Sequence, residues 1–177
     1  MSDPVDHKDN LTLNIDCQSR QLAELGDKLP GLGEIGLQNF APYLMNRIMG
    51  RYNQTIQSSL SNAGITTLKM RILAVLSVVD GISVNELAIY TVAEQSTLSR
   101  TLTALEDAGL VYSSISSTDN RIRFNHLTEE GSDLFNSLWP QMHASYNQMF
   151  AGIDDDQKDA FIGTLRKILR NIRVNEV

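Results

Sequence analysis

Only one cysteine, Cys17, occurs in the 177 residues, so no disulfide can close within the chain, and only a bridge between subunits is left open. Histidine is scarce as well. His7, His126 and His143 lie far apart, without the spacing that holds a metal ion. A catalytic triad, a phosphate-cradling glycine loop and a zinc pattern are all missing, so neither an enzymatic activity nor a cofactor is expected. No apolar run approaches the roughly 20 residues that a membrane span needs. The first residues are acidic and polar, unlike a leader peptide, and the expected location is the cytoplasm. Bulk positive charge is absent too. The net charge is −6, so any contact with a polyanion has to rest on a few well-placed cations.

What is present is ordinary in bulk, with 42% apolar and 20% charged residues, as in a globular chain. At this length a single domain is the expectation. The most informative stretch runs from Ser83 to Leu127. Ser83 followed three residues later by Glu86 is a capping box that opens a short helix, which carries Leu87 and Ala88 inward and stops near Tyr90. A tight connection, Thr91-Val92-Ala93, leads to a second helix from about Glu94 to Ala108. There Leu98, Leu102 and Leu105 form one buried stripe at helical spacing. Gln95, Ser96, Thr97, Ser99, Arg100 and Thr103 make up its polar side, and Gly109 ends it. Leu110 to Ile115 reads as a strand and Ser116 to Asn120 as a turn. Arg121 to Leu127 alternates with period two, which sets Ile122 and Phe124 against Arg121, Arg123 and Asn125. Two short helices followed by a β-hairpin is the order of a winged helix-turn-helix, in which a polar helix and a basic ribbon hold neighbouring DNA grooves.

Three pieces of this stretch, in order, resemble the signature of the MarR (multiple antibiotic resistance regulator) family. They are Gly109-Leu110-Val111, then Asp119-Asn120-Arg121, then Leu127-Thr128-Glu129-Glu130-Gly131 at the start of a long helix. The similarity extends over roughly residues 37 to 172. It implies a mainly α fold with a small β-wing, in which a DNA-binding winged helix-turn-helix (65–127) is joined to dimerisation helices (37–62 and 128–174). Residues 1–34 are then an N-terminal extension, either a disordered tail or an arm that crosses to a partner subunit, and 35–177 a single domain. The implied partners are a palindromic double-stranded DNA operator, a second copy of the chain and a small aromatic or carboxylate effector. The implied role is a ligand-responsive repressor.

The flanking segments fit helices. Asn39 is the expected cap of the first core helix, with Pro42 in its first turn. Leu37, Phe40, Leu44, Ile48, Tyr52, Ile56 and Leu60 form a stripe along it. Thr66 opens the next helix, whose inward stripe is Leu68, Ile72, Leu76 and Val79. Thr128 caps the long helix, with Leu134, Leu138, Met142 and Met149 as its spine, Trp139 and Tyr146 beside it, and a kink expected at Pro140. Asp154 to Asp156 starts the last helix, with Phe161, Leu165, Ile168, Leu169 and Ile172 as its stripe.

Each candidate has a functional and a plain reading. Gln95 suits adenine and Arg100 guanine in the major groove, whereas the Ser and Thr hydroxyls suit phosphates; otherwise this is a solvated helix face. By the resemblance, Arg121 enters the minor groove with Asp119 orienting it, and Arg123 and Asn125 share its face; otherwise the wing is a charged edge. Lys69 and Arg71 either touch phosphate or are surface charge. Many family members carry Arg or Lys just after Gly-Leu-Val, where this chain has Tyr112, Ser113 and Ser114, which points either to lower phosphate affinity or to a different operator preference. The resemblance makes Tyr43, Arg47, Trp139 and His143 candidate effector contacts; packing is the plain reading. Some relatives carry a redox cysteine at a position that falls near Tyr43 here, so Cys17, well upstream, reads as incidental. A winged-helix protein-interaction module without strong DNA affinity is the alternative function, motivated by the acidic charge.

Overall fold

The computed structural model describes residues 29–115 and 122–172. Cys17, Asp119 and Arg121 lie outside the described residues. The chain divides into two compact units, Met1–Ile48 and Met49–Val177.

In the first unit a single helical turn, α1 (Leu32–Ile35), is opened by the Gly31 N–H, which donates to the Glu34 carboxylate at 3.0 Å. A 3₁₀ turn, Leu37–Asn39, follows. The extension's expected limit at residue 34 thus falls inside a helical turn. Asn39 does not cap the next helix. Its side-chain amide is turned back to the Ile35 carbonyl at 2.9 Å, and the Phe40 carbonyl instead receives the N–H groups of Tyr43 and Leu44. That helix, α2 (Ala41–Asn62), has Pro42 in its first turn, where a missing N–H costs nothing. It continues across the division into the second unit.

The second unit is organised by caps and one core. Thr66 accepts from the Lys69 N–H at 3.2 Å and opens α3 (Thr67–Leu76). The stripe expected along it stops at Leu76; Val79 lies past the helix end and is exposed. A two-residue strand, β1 (Ile82–Ser83), leads into α4 (Val84–Thr91). Then come α5 (Gln95–Asp107), β2 (Val111–Ile115) and β3 (Arg123–Leu127). The hairpin is therefore not alone: β1 pairs with β3 to give an antiparallel sheet of order β1-β3-β2, with Ile82 opposite Asn125 and Val111 opposite Leu127. Two residues are too few for an alternation to be visible in sequence.

Ile56 and Leu60 of α2, Ile72, Leu73 and Leu76 of α3, Leu87 of α4 and the three leucines of α5 form one buried cluster. Each fully buried aliphatic side chain contributes about 1.5–3 kcal/mol. The long helix α6 (Glu129–Met149) closes this cluster with Phe135, Leu138 and Met142, and runs unbroken through Pro140. Of the expected spine Leu138 and Met142 are buried and Leu134 packs half-buried against the core; Phe135 joins them, and Met149 is exposed. Thr128 makes the start of α6 doubly secure, accepting from the Gly131 N–H at 3.0 Å and donating to the Gly109 carbonyl at 2.8 Å. Gly131 has a steric reason to be glycine, since a Cβ there would lie 2.0 Å from the Leu110 carbonyl oxygen. The last helix, α7 (Asp155–Ile172), is capped by Asp154, whose carboxylate accepts from the Gln157 N–H at 2.8 Å. It contains no buried residue.

Candidate nucleic-acid interface

The site begins with α4. Ser83 accepts from the Glu86 N–H, and Glu86 receives both the N–H and the hydroxyl of Ser83, at 3.0 and 2.6 Å. These bonds hold the Glu86 carboxyl below its usual range. The connection to α5 is tight because Val92 takes a left-handed conformation, φ 52°. A β-branched residue there is strained by about 1–3 kcal/mol, and no glycine in the sequence marks the turn. Arg71 of α3 reaches this corner, its guanidinium 3.4 Å from the Thr91 carbonyl. One of its five donors is thus spent on the helix end, where a cation is favoured. Thr91 is fully buried and donates its hydroxyl to the Leu87 carbonyl at 2.7 Å.

Burial of Leu98, Leu102 and Leu105 turns the opposite side of α5 outward, and Gln95, Ser96, Thr97, Ser99, Arg100 and Thr103 are all exposed. Most of these groups are pre-engaged. Ser99 and Thr103 donate to the Gln95 and Ser99 carbonyls, and the Arg100 Nε donates to the Ser96 carbonyl at 3.2 Å. The outer nitrogens of Arg100 remain free to point away from the helix. Gln95 is held differently, by Asn85 of α4 at 2.6 Å; Asn85 gave no signal in sequence, because the pairing spans ten residues and two helices.

Beside this helix stands the ribbon. Arg123 is exposed on β3, but Asn125 does not line an outer face with it. Asn125 is buried and donates its amide to the Ile82 carbonyl at 3.0 Å. Arg123, Asn125 and Leu127 do share one side of the strand. Along that side Arg123 is exposed, Asn125 is buried and Leu127 is half-buried, so only Arg123 reaches solvent. The three residues after Gly-Leu-Val build the ribbon's root. Ser113 donates to the Glu106 carboxylate at the end of α5. Tyr112 stacks on His126, with 4.8 Å between ring centres. His126 also lies 2.8 Å from Ser114 Oγ and 2.8 Å from an Asp80 carboxylate oxygen, tying both ribbon strands to the turn before β1. Lys69, half-buried in the first turn of α3, completes the described cations of 65–126.

The effector candidates fall in separate units. In the first, Arg47 lies over the Tyr43 ring at 5.7 Å. In the second, Trp139 and His143 belong to a ladder of rings, Phe135, Trp139, His143, Tyr146, Phe150 and Phe161, with successive centres 5.1–6.2 Å apart. Trp139, His143, Tyr146 and Phe161 are exposed.

A capped helix, a tight turn, a helix with a polar outer face and a three-stranded sheet ending in a ribbon define a winged helix-turn-helix. Residues 65–122 match the model of the MarR family. A transcriptional regulator of that family from Silicibacter pomeroyi is 47% identical and superposes with a TM-score of 0.79, over 84% of this chain and 100% of that one. NadR, solved in complex with 4-hydroxyphenylacetate, is 25% identical with a TM-score of 0.67, over 73% of this chain and 91% of that one. The HTH-type transcriptional repressor IacR of Pseudomonas putida is 22% identical over 143 residues, 81% of this chain and 86% of that protein. The chain belongs to the MarR family of transcriptional regulators.

Proposed function

We propose that the protein is a homodimeric repressor that binds a palindromic double-stranded DNA operator and leaves it when a small aromatic or carboxylate effector binds. The observation that carries this reading is α5, whose buried leucine stripe presents six polar side chains outward as one continuous face beside the ribbon. In this reading Gln95, Ser96, Thr97, Ser99, Arg100 and Thr103 enter the major groove. Arg123, together with Asp119 and Arg121, meets the adjacent minor groove, whose negative potential favours arginine. Lys69 contacts phosphate, and Arg71 divides its donors between phosphate and the α4 end. The serines after Gly-Leu-Val act as ribbon clamps, so backbone affinity rests on few cations. Residues 37–62 and 128–174 form the dimer contact, and two α5 helices about one helical turn apart match the half-sites.

The repressor IacR supports the direction of regulation, and the hydroxyphenylacetate complex of NadR supports an aromatic acid as effector. The proposed effector contacts are the exposed Trp139 and His143 and, in the other unit, the Arg47–Tyr43 pair. Effector binding would change the spacing of the two reading helices by rotation of the lobes.

The test is binding to a fluorescent fragment of the DNA upstream of the protein's own gene, at several salt concentrations. With about five phosphates neutralised per dimer, log K should fall with log salt at a slope of about −4 to −5, and Arg100→Ala and Arg121→Ala should each lower affinity. Binding no tighter than to random DNA, followed by failure to select any site from a random pool, would sink the reading in favour of the protein-interaction module.

A further inference from the structure

We propose that Asn85 and Gln95 form an amide pair that reads one adenine in each half-site, with Gln95 touching the base and Asn85 as the positioning residue. This deepens the DNA-binding reading above and rests on it. The two side chains belong to different helices, α4 and α5, and both are exposed. Yet the Gln95 Nε2 donates to the Asn85 Oδ1 at 2.6 Å.

An exposed glutamine ordinarily samples many rotamers, and its amide faces either way round. The bond to Asn85 narrows the rotamers of Gln95 and, in the arrangement found, turns its amide nitrogen toward Asn85. It uses one of the two Nε2 hydrogens and leaves the other, together with Oε1, as an adjacent donor and acceptor. Adenine alone offers the complement on its major-groove edge, an N7 acceptor beside an N6–H donor. Guanine shows two acceptors, cytosine one donor, and thymine one acceptor with a methyl group. The pair therefore selects A·T in one orientation. Asn85 keeps both hydrogens of its own amide, which suit a phosphate oxygen flanking that base. Ser99, Arg100 and Thr103 are tied to carbonyls of their own helix, whereas Gln95 is braced from a second helix, and the tight Val92 turn sets the distance between the two.

The experiment is selection from a random duplex pool by the full-length wild type and by Gln95→Ala, Asn85→Ala and Asn85→Asp, followed by binding to the selected site with its adenine replaced by 7-deazaadenine. Folding of each variant is checked by circular dichroism; both positions are exposed. Wild type should select one invariant adenine per half-site. Gln95→Ala should lose that preference, roughly tenfold or more, and keep the other positions. Asn85→Ala should blur the same position only. Asn85→Asp retains the accepting oxygen, so it should keep the adenine preference while weakening all sites alike. Removing N7 should weaken wild type and leave Gln95→Ala unaffected. If Gln95→Ala selects the wild-type motif unchanged, or if 7-deazaadenine weakens both proteins equally, the adenine assignment is wrong although DNA binding stands. If wild type selects no motif, the DNA-binding reading itself has failed and the assignment falls with it.

Discussion

The winged-helix core and the last helix, α7, treat their apolar stripes in opposite ways. Leu87, Leu98 and Leu105 are 0% exposed, each closed in by its own chain. On α7, Leu169 and Ile172 are 52% and 68% exposed, Leu165 and Ile168 are half-buried, and no residue is fully buried. The contrast even runs along one helix. In α2, Ile56 and Leu60 are 1% exposed, whereas Leu44 and Ile48, on the same stripe, are 38% and 41% exposed. Apolar surface left in water forgoes about 25 cal/mol per Å², and a contiguous patch of it marks a place where another surface belongs. The reading half is closed within a single chain, whereas α7 and the first half of α2 leave apolar side chains in water, the surface that the proposed homodimer would cover.

The largest effect should come from opening the complete half. Leu98→Ala removes a fully buried side chain from α5 and should cost about 2–5 kcal/mol in urea unfolding, with DNA binding falling in step; a cost under about 1 kcal/mol would mean the core is less closed than described. Next, Leu169→Glu combined with Ile172→Glu should weaken self-association at least about 100-fold in sedimentation while helix content and cooperative unfolding persist. An unchanged dimer would put the interface elsewhere. A smaller and opposite change is expected at the turn between α4 and α5. Val92→Gly relieves about 1–2 kcal/mol of left-handed strain, partly offset by unfolded-chain entropy, and should raise stability by about 0.5–1 kcal/mol. No gain would show that the surroundings, rather than the residue, set that conformation.

The smallest effect is electrostatic. The hydrogen bonds of Ser83 lower the Glu86 carboxyl in the folded chain, so its contribution is present above the ordinary carboxylate pKa and lost as pH falls through the lowered one. Stability should therefore decline at acid pH by slightly more in wild type than in Glu86→Gln. Parallel pH curves for the two proteins would show that the capping carboxylate adds nothing.

Local features were readable in the chain, and long-range ones were not. The capping residues Ser83, Thr66 and Thr128, the leucine stripe of α5 and Gly109 announce themselves within three or four positions, because caps and helix faces are short-range physics. Asn125 misled for the same reason. Period two placed it correctly beside Arg123, but its burial and its bond to the Ile82 carbonyl depend on a segment 43 residues away. Phe135 joined the core beside the half-buried Leu134, its neighbour on the helix, and only the packing of α6 against the core decides which of the two is buried more deeply. The serines after Gly-Leu-Val looked like missing cations, and their use as clamps on Glu106 and His126 needed the sheet register.

The sequence by itself determined the caps that open α3, α4, α6 and α7, the extent of α5 and its polar outer face, and the signature of the family, since each depends on dihedral preference and apolar periodicity over a few residues. Tertiary structure alone decided the third strand, the burial of Asn125, the strained turn at Val92 and the bond between Asn85 and Gln95. Those are set by which distant groups come within hydrogen-bond or contact range once the core has closed.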